Sequence, residues 1–345
     1  MTIFYVVHNG ITVYKYDLTD LSSESITLNG VSSSVPKIIA VGDELFATER
    51  GSTFGSTDNA LARIDLDAFT VTDRASMNGA YLDHMVEAGD DLILGRRKSE
   101  GVGNTSENLV TRLPLTTFSI TTEQTILPWG GATNPGVMRY FDGSVWLGRH
   151  PLPNATMVFR RLDPSDLSLD ATISLGYTSA SGRFISGDIA AGQQFYVALS
   201  FFDRFMRIDP ATNTITDDYS LQTEVPGTGT STNRYLSSLS TDGTHVWGAQ
   251  PDGLGYFVKF NTNTDAFTAI ALPNTSTYSS HETGYYDGIV YVQASVSGTR
   301  RLLTYDAATD DLIDNQLINE SGPFLLWEKI IPVTTSGIFV GAVVF

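Results

Sequence analysis

One pattern returns seven times along this chain, and its spacing leaves few folds open. The copies are VYKYDLTD, LARIDLDAFTV, LVTRLPLTTFSI, VFRRLDPSDLSL, FMRIDPATNTI, FVKFNTNTDAFTAI and LLTYDAATDDLI. Each reads as an alternating run, a turn and a second run. Phe205, Arg207 and Asp209 alternate with Met206 and Ile208, which is the period of a half-buried strand. Asp-Pro-Ala-Thr-Asn then supplies turn chemistry, because Asp bonds backbone amides two residues on and Pro presets φ. The hinge residues are Asp17, Asp65, Pro114, Asp163, Asp209, Asn261 and Asp306, separated by 45 to 52 residues. Two places before the hinge stands a cation in six copies (Lys15, Arg63, Arg112, Arg161, Arg207 and Lys259) and Thr304 in the seventh.

A second hairpin interleaves with the first. Its copies are IIAVGDELFA, MVEAGDDLIL, MRYFDGSVWLG, DIAAGQQFYVAL, SLSTDGTHVWGA, GYYDGIVYVQA and KIIPVTTSGIFVGAVV. Their turns carry Gly42, Gly89, Gly143, Gly192, Gly243, Gly288 and Gly337. Two hairpins per repeat make four strands, and four strands every 40–50 residues are the signature of a β-propeller blade. The sequence therefore predicts an all-β, seven-bladed β-propeller forming a single domain over residues 1–345. With strands lettered a to d from inner to outer, the glycine hairpin is a–b and the hinged hairpin is c–d. The repeated cation reads as a structural element serving the outer surface or a neighbouring blade.

The chain opens on a c–d hairpin at residues 11–28 and ends on an a–b hairpin at 329–345. The expectation is a closing blade in which N-terminal c–d strands pair with C-terminal a–b strands. Residues 2–8, TIFYVVH, form an additional strand candidate joined by Asn9-Gly10 to ITVYKYD, a hairpin signal. Five strands in the closing blade are favoured, with competition for the b position as the alternative.

Composition narrows the chemistry. There is no cysteine, which removes disulfides, thiolate-bound metals and a cysteine nucleophile. The net charge of −17 disfavours nucleic acid and anionic membranes as partners. No apolar run approaches the ~20 residues that span a bilayer, so no membrane insertion is expected. The start MTIFYVVHNG lacks a basic leader region and reads as a strand rather than an export signal.

Candidate binding residues cluster on the predicted d–a and b–c loops, at 47–60, 95–108, 127–137, 222–236 and 272–284. Three successive b strands end in cations: Arg50, then Arg96 and Arg97, then Arg149 with His150. Loops expected on the same face add His84, Arg183, Arg234 and His281. The functional reading is a basic face that binds an anion or an acidic glycan. The competing reading is ion pairing with nearby carboxylates such as Asp58, Asp83 and Glu100. Trp129, Tyr235 and Tyr278 supply loop aromatics of the kind found at protein or sugar interfaces. Trp146 and Trp247 occupy matching b-strand positions and read as blade packing. No HExxH, GxSxG, Walker A or dinucleotide fingerprint occurs. His84 and His281, each at the start of an a strand near Glu87 and Glu282, are the one candidate acid–base pair. No catalytic, metal or cofactor assignment follows from these residues.

The blade FYVALSFFDRFMRIDPATNTITDDYSL resembles the repeats of YVTN-type and NHL-like propellers and of the virginiamycin B lyase group. The resemblance runs along nearly the whole chain as a repeat style and implies the seven-bladed fold. These groups include binding modules, surface proteins, lyases and lactonases, and lactonase-like members hold a channel metal with acidic and amide side chains. Asp83, Glu87, Asp188 and Glu282 are the acidic candidates here, but no motif matches that set residue by residue. The expected function is non-enzymatic: a rigid structural or recognition component of a large assembly. The assembly expected is a phage virion, as a tail or capsid-surface protein meeting other structural proteins or a host-surface glycan or protein. A soluble lyase or lactonase and a cytoplasmic interaction scaffold are the alternatives.

Overall fold

The computed structural model describes residues 2–9, 11–20, 22–30, 37–49, 59–99, 106–125, 135–149, 156–178, 185–199, 203–225, 236–250, 255–273, 278–296, 299–317 and 324–329. They form seven four-stranded antiparallel sheets, the blade set of a seven-bladed β-propeller. The chain divides into two compact units, the first with three sheets and the 164–167 turn, the second with four sheets.

In the first unit, β1 (Thr2–Asn9), β2 (Thr12–Asp17) and β3 (Ser23–Thr27) share a sheet with β28 (Phe324–Lys329). The next sheet is β4 (Ile38–Val41), β5 (Glu44–Glu49), β6 (Ala60–Asp65) and β7 (Thr70–Ser76). The third is β8 (Tyr81–Ala88), β9 (Asp91–Ser99), β10 (Ser106–Pro114) and β11 (Thr122–Thr125). In the second unit, β12 (Pro135–Phe141), β13 (Ser144–Arg149), β14 (Thr156–Leu162) and β15 (Leu169–Thr178) form one sheet. They are followed by β16 (Ile185–Ala191), β17 (Gln194–Leu199), β18 (Arg204–Asp209) and β19 (Thr214–Ser220), after which α1 (Leu221–Glu224) makes a single turn. Then come β20 (Leu239–Thr241), β21 (His245–Gly248), β22 (Tyr256–Asn261) and β23 (Ala266–Ala271), and last β24 (Tyr278–Tyr286), β25 (Ile289–Val296), β26 (Thr299–Asp306) and β27 (Leu312–Leu317).

Within each unit, successive sheets bury their apolar faces against one another. Val13 of β2 and Ile64 of β6 share one core cluster, and Phe46 of β5 and Leu94 of β9 share the next. In the second unit Trp146 packs with Phe195, Phe205 with Phe260, and Trp247 with Val292. Both tryptophans are fully buried, as their matching b-strand positions predict. The a–b turns form at the expected glycines. At two of them an aspartate also takes positive φ (Asp142 at 50° before Gly143 at 70°, Asp287 at 45° before Gly288 at 79°), the mirrored geometry that fits strand twist. Gly337 lies outside the described residues.

The closing sheet differs from the expectation in its division. It does join the two chain ends, but β28 takes position a while β1, β2 and β3 take b, c and d. β1 pairs with β28 from Thr2↔Lys329 to Val7↔Phe324, and with β2 from Phe4↔Asp17 to Asn9↔Thr12. A short hairpin between β1 and β2 costs little closure entropy, so β1 holds the place beside β2. The sheet has four strands among the described residues, against the five favoured from sequence; most of the predicted 329–345 hairpin lies outside them.

The repeated cation proves to be an inter-blade staple. Lys15 Nζ donates to Leu66 O at 3.0 Å, Arg63 Nη1 to Leu115 O at 3.1 Å and Arg112 Nη1 to Ser165 O at 3.2 Å. In the second unit Arg161 Nη1 donates to Pro210 O at 3.0 Å, Arg207 Nη1 to Asp265 Oδ1 at 2.9 Å and Lys259 Nζ to Ala307 O at 2.9 Å. Every acceptor belongs to the c–d turn of the following repeat. The residue four places after each hinge from the second repeat on (Phe69, Phe118, Leu167, Asn213, Asp265 and Asp310) has positive φ, between 45° and 64°. That conformation is unfavourable for Phe and Leu. It turns their side chains into the core, where all three are buried. In two turns the same side chain also meets the preceding cation as a ring: Lys15 lies 4.6 Å from the Phe69 centroid and Arg63 5.6 Å from that of Phe118. In three others it meets it as an acceptor, at Asn213 (3.5 Å), Asp265 (2.9 Å) and Asp310 (2.8 Å).

Arg161 also bonds Ser144 Oγ at 2.9 Å, pairs with Asp170 at 3.0 Å and lies over Trp146. Arg161→Ala is expected to lower unfolding stability by about 1.5–3 kcal/mol, the range for a hydrogen bond to a charged group. Arg161→Lys should recover only part of it, because an ammonium cannot fork to several acceptors. Urea titration followed by tryptophan fluorescence measures both.

Candidate functional site

The basic face expected from sequence is reshaped by burial. Arg96, on β9, is fully buried. It donates to Thr111 Oγ1 at 2.9 Å, to Glu123 Oε2 at 2.6 Å and to the Met77 carbonyl. Burial pulls its pKa below the usual guanidinium value and Glu123 works against that shift. Arg96 is thus a core cation tying β9 to β10, β11 and the Met77 turn, and the expectation that it presents charge to a ligand is corrected. The LGRRK motif alternates, so one of two adjacent arginines must point inward, and the acceptors at Thr111, Glu123 and Met77 take this one.

Arg97 points the other way. Its Nε lies 3.3 Å from Asp83 Oδ2, and the guanidinium lies 5.9 Å from the Tyr81 ring centroid. This is the ion pairing that competes with a basic face. Asp83 stands at a register shift in β8, between Leu82 and His84. Equivalent shifts occur in β16 between Ile185 and Gly187, and in β24 between Ser280 and Glu282. The extra residues are therefore Asp83, Ser186 and His281. Relative to this bulge His84 corresponds to Glu282, not to His281, so the proposed histidine pair does not occupy equivalent positions.

Of the remaining candidates, Arg149 ends β13, Tyr278 begins β24 and His281 lies within it, and only their strand positions are described. Arg50, His150, Arg183, Arg234, Trp129 and Tyr235 lie outside the described residues. Among the described residues no group of three or more His, Cys, Asp or Glu side chains is arranged to hold a metal ion.

Two features of the second unit go beyond the sequence reading, which named Asp188 as an acidic candidate but not its partner. The first is an ion pair between a strands: Arg139 of β12 donates through Nη2 to Asp188 O at 3.0 Å, with Nε 3.4 Å from Asp188 Oδ2. Asp188 is deeply buried, and that burial raises its pKa although Arg139 opposes the rise. The second is apolar exposure. Leu169, Leu312, Ile313 and Leu317 are 53, 43, 56 and 56 % exposed, and all four lie on outermost strands, β15 and β27. The signal was present in LIDNQL, where Leu312 and Ile313 are adjacent and cannot both face a core.

No protein-family model matches this chain, and no curated protein sequence matches it. Solved structures do share its fold. A crystal structure of the computationally designed Ika8 protein aligns at a TM-score of 0.60 and 10 % identity, covering 94 % of this chain and 89 % of that one. A chain in the crystal structure of a mitotic checkpoint complex aligns at 0.58 and 10 % identity, covering 84 % and 80 %. At that identity they speak for the fold alone.

Arg96→Met is expected to cost about 2–4 kcal/mol, because the Met77 carbonyl and the Thr111 hydroxyl lose their donor in a dry site; differential scanning calorimetry reads the loss. For Asp188 the sign is set by its raised pKa. The folded chain holds this proton more tightly than the unfolded chain, so the associated stability is complete below the ordinary aspartate pKa and is lost as pH rises through the folded value. The stability of the parent relative to Asp188→Asn should therefore fall as pH increases above about 4, which urea titrations across pH measure.

Proposed function

We propose that this protein is a non-enzymatic propeller serving as a structural and recognition component of a larger assembly. The observation that carries the reading is the placement of its exposed aliphatic side chains. Four large ones stand on outermost strands, where a solitary protein ordinarily sets polar or charged residues. The described cations at the repeat positions are engaged by acceptors in the next repeat, which suits a scaffold that holds its surface still. The fold itself is compatible with such a role, and one fold neighbour belongs to a mitotic checkpoint complex, an instance of the fold within a multi-protein assembly. In its specific form the proposal places the chain on a virion, at the tail or capsid surface, in contact with other structural proteins and with a host-surface protein or glycan.

The test is the state of the chain in its source. Size-exclusion chromatography of a native extract, followed by cross-linking mass spectrometry, should find it well above the 37.4 kDa of one chain and joined to the same partners in repeated preparations. Neighbouring tail or capsid genes are expected for the virion form. A chain that elutes alone and turns over a lactone or glycan substrate would overturn the reading.

A further inference from the structure

We propose that β27 is a docking edge that accepts an extended, basic segment of a partner protein as a fifth strand of its blade. This rests on the recognition reading above and gives it a surface and a partner chemistry. β27 pairs with β26 and is the last strand of its sheet among the described residues. Among the described residues no strand pairs with its outer edge, and past a bulge at Ile313 the run Asp314–Leu317 keeps regular register with β26. Strand addition uses such an edge: main-chain bonds give affinity, and alternate side chains give specificity.

The outermost strands differ in the apolar surface they expose: β23 reads AFTAIA without charge but buries Phe267 and Ile270. β3, β7, β11 and β19 read SESIT, TVTDRAS, TEQT and TITDDYS, rich in Ser, Thr and carboxylates. β27 reads LIDNQL and exposes three large aliphatic side chains. β15 exposes only Leu169, beside an Asp170 already paired with Arg161. The apolar edge is thus concentrated at β27.

Charge selects the occupant. From residue 302 to residue 328 there is no lysine or arginine, but there are six carboxylates. Asp310 is held by Lys259; Asp311 and Asp314 are exposed beside the apolar triplet, Asp314 accepting only from the neutral Asn315 N–H and Gln316 Nε2. On the neighbouring strand β26, Arg301 donates to Asn315 Oδ1 at 3.0 Å. A second copy of this chain would bring the same acidic strand against itself, on a molecule of net charge −17. By their register with β26, Leu312 and Leu317 share one face of β27 and Asp314 the other, with the exposed Ile313 at the bulge between them, so a strand alternating aliphatic and basic residues would set its aliphatic side chains beside Leu312 and Leu317 and a basic one beside Asp314.

The probe is a fluorescein-labelled peptide of about ten residues alternating valine and lysine, titrated into the full chain and read by anisotropy at low and high salt. Saturable binding is expected, weakened by salt and weakened about tenfold or more by Ile313→Lys, which removes an aliphatic contact and adds a repelling charge. Asp314→Lys should weaken it similarly without touching the apolar triplet, and both changes sit on exposed side chains, so the melting temperature reports an intact fold. Thr268→Lys on the outer strand β23 should leave binding unchanged, and a backbone N-methylated peptide should not bind. Equal loss with Thr268→Lys would mean unspecific attraction to an acidic protein and would overturn the proposal, as would an unaffected Ile313→Lys variant or retained binding of the N-methylated peptide. Self-association abolished by Ile313→Lys would replace the basic partner with a second copy. If Ile313→Lys leaves the native assembly intact, the docking edge fails while the recognition reading stands; if the chain is solitary in its source, the recognition reading fails.

Discussion

The structure depends on a cation that leaves its own blade. In each of six repeats a lysine or arginine two places before the hinge reaches the c–d turn of the next repeat. Four-stranded sheets packed face to face are held by apolar burial, which has no direction and tolerates sliding. A charge-assisted bond to a backbone acceptor is directional and fixes one turn against the next cation. Because the acceptor in five of the six is a carbonyl, the contact constrains backbone rather than side-chain identity. The turn must then hold a left-handed residue four places past the hinge, even where that residue is Phe69, Phe118 or Leu167. Strain at the turn, burial of its side chain and capture of the cation are parts of one arrangement.

The two chemical solutions divide along the chain. Early repeats present an aromatic ring to the incoming cation, and later repeats present an amide or a carboxylate. Arg207 shows the electrostatic version most fully. Burial works against its charge, but Asp217 and Asp265 outweigh burial and hold its pKa above the usual guanidinium value. With the cations engaged in this way, the described outer strands expose chiefly polar and acidic side chains, interrupted by Leu169 on β15 and by the aliphatic residues of β27.

Much of the fold was legible because turns are local. Asp, Asn and Pro at the hinges and glycine at the a–b turns declare backbone geometry without reference to the rest of the chain, and Asp65, Asp209 and Asp306 indeed cap their turns. The cation's destination was not legible, since a carbonyl such as Leu66 O or Pro210 O leaves no trace in residue identity. Positive φ at Phe118 or Leu167 ran against intrinsic preference and was set by tertiary packing. The same limit misplaced Arg96: its neighbours in sequence marked a basic face, whereas a buried acceptor set at Thr111 and Met77 decided its direction. The division of the closing sheet turned on whether Asn9-Gly10 would outcompete a C-terminal strand, a comparison of loop lengths that the residues between 330 and 345 left open.

The most direct test of the staple is a double-mutant cycle between Arg207 and Asp265, which lie in successive repeats and meet through side chains. Unfolding free energies would be measured for the parent, Arg207→Ala, Asp265→Ala and the double variant by urea titration. Asp265 is 42 % exposed in its side chain, so solvent screening limits the expected coupling to about 0.5–1.5 kcal/mol. Coupling in that range means the cation links the two blades energetically. Effects that add to within about 0.3 kcal/mol would mean that the bond is geometry without stabilisation, and the account built on it would be contradicted.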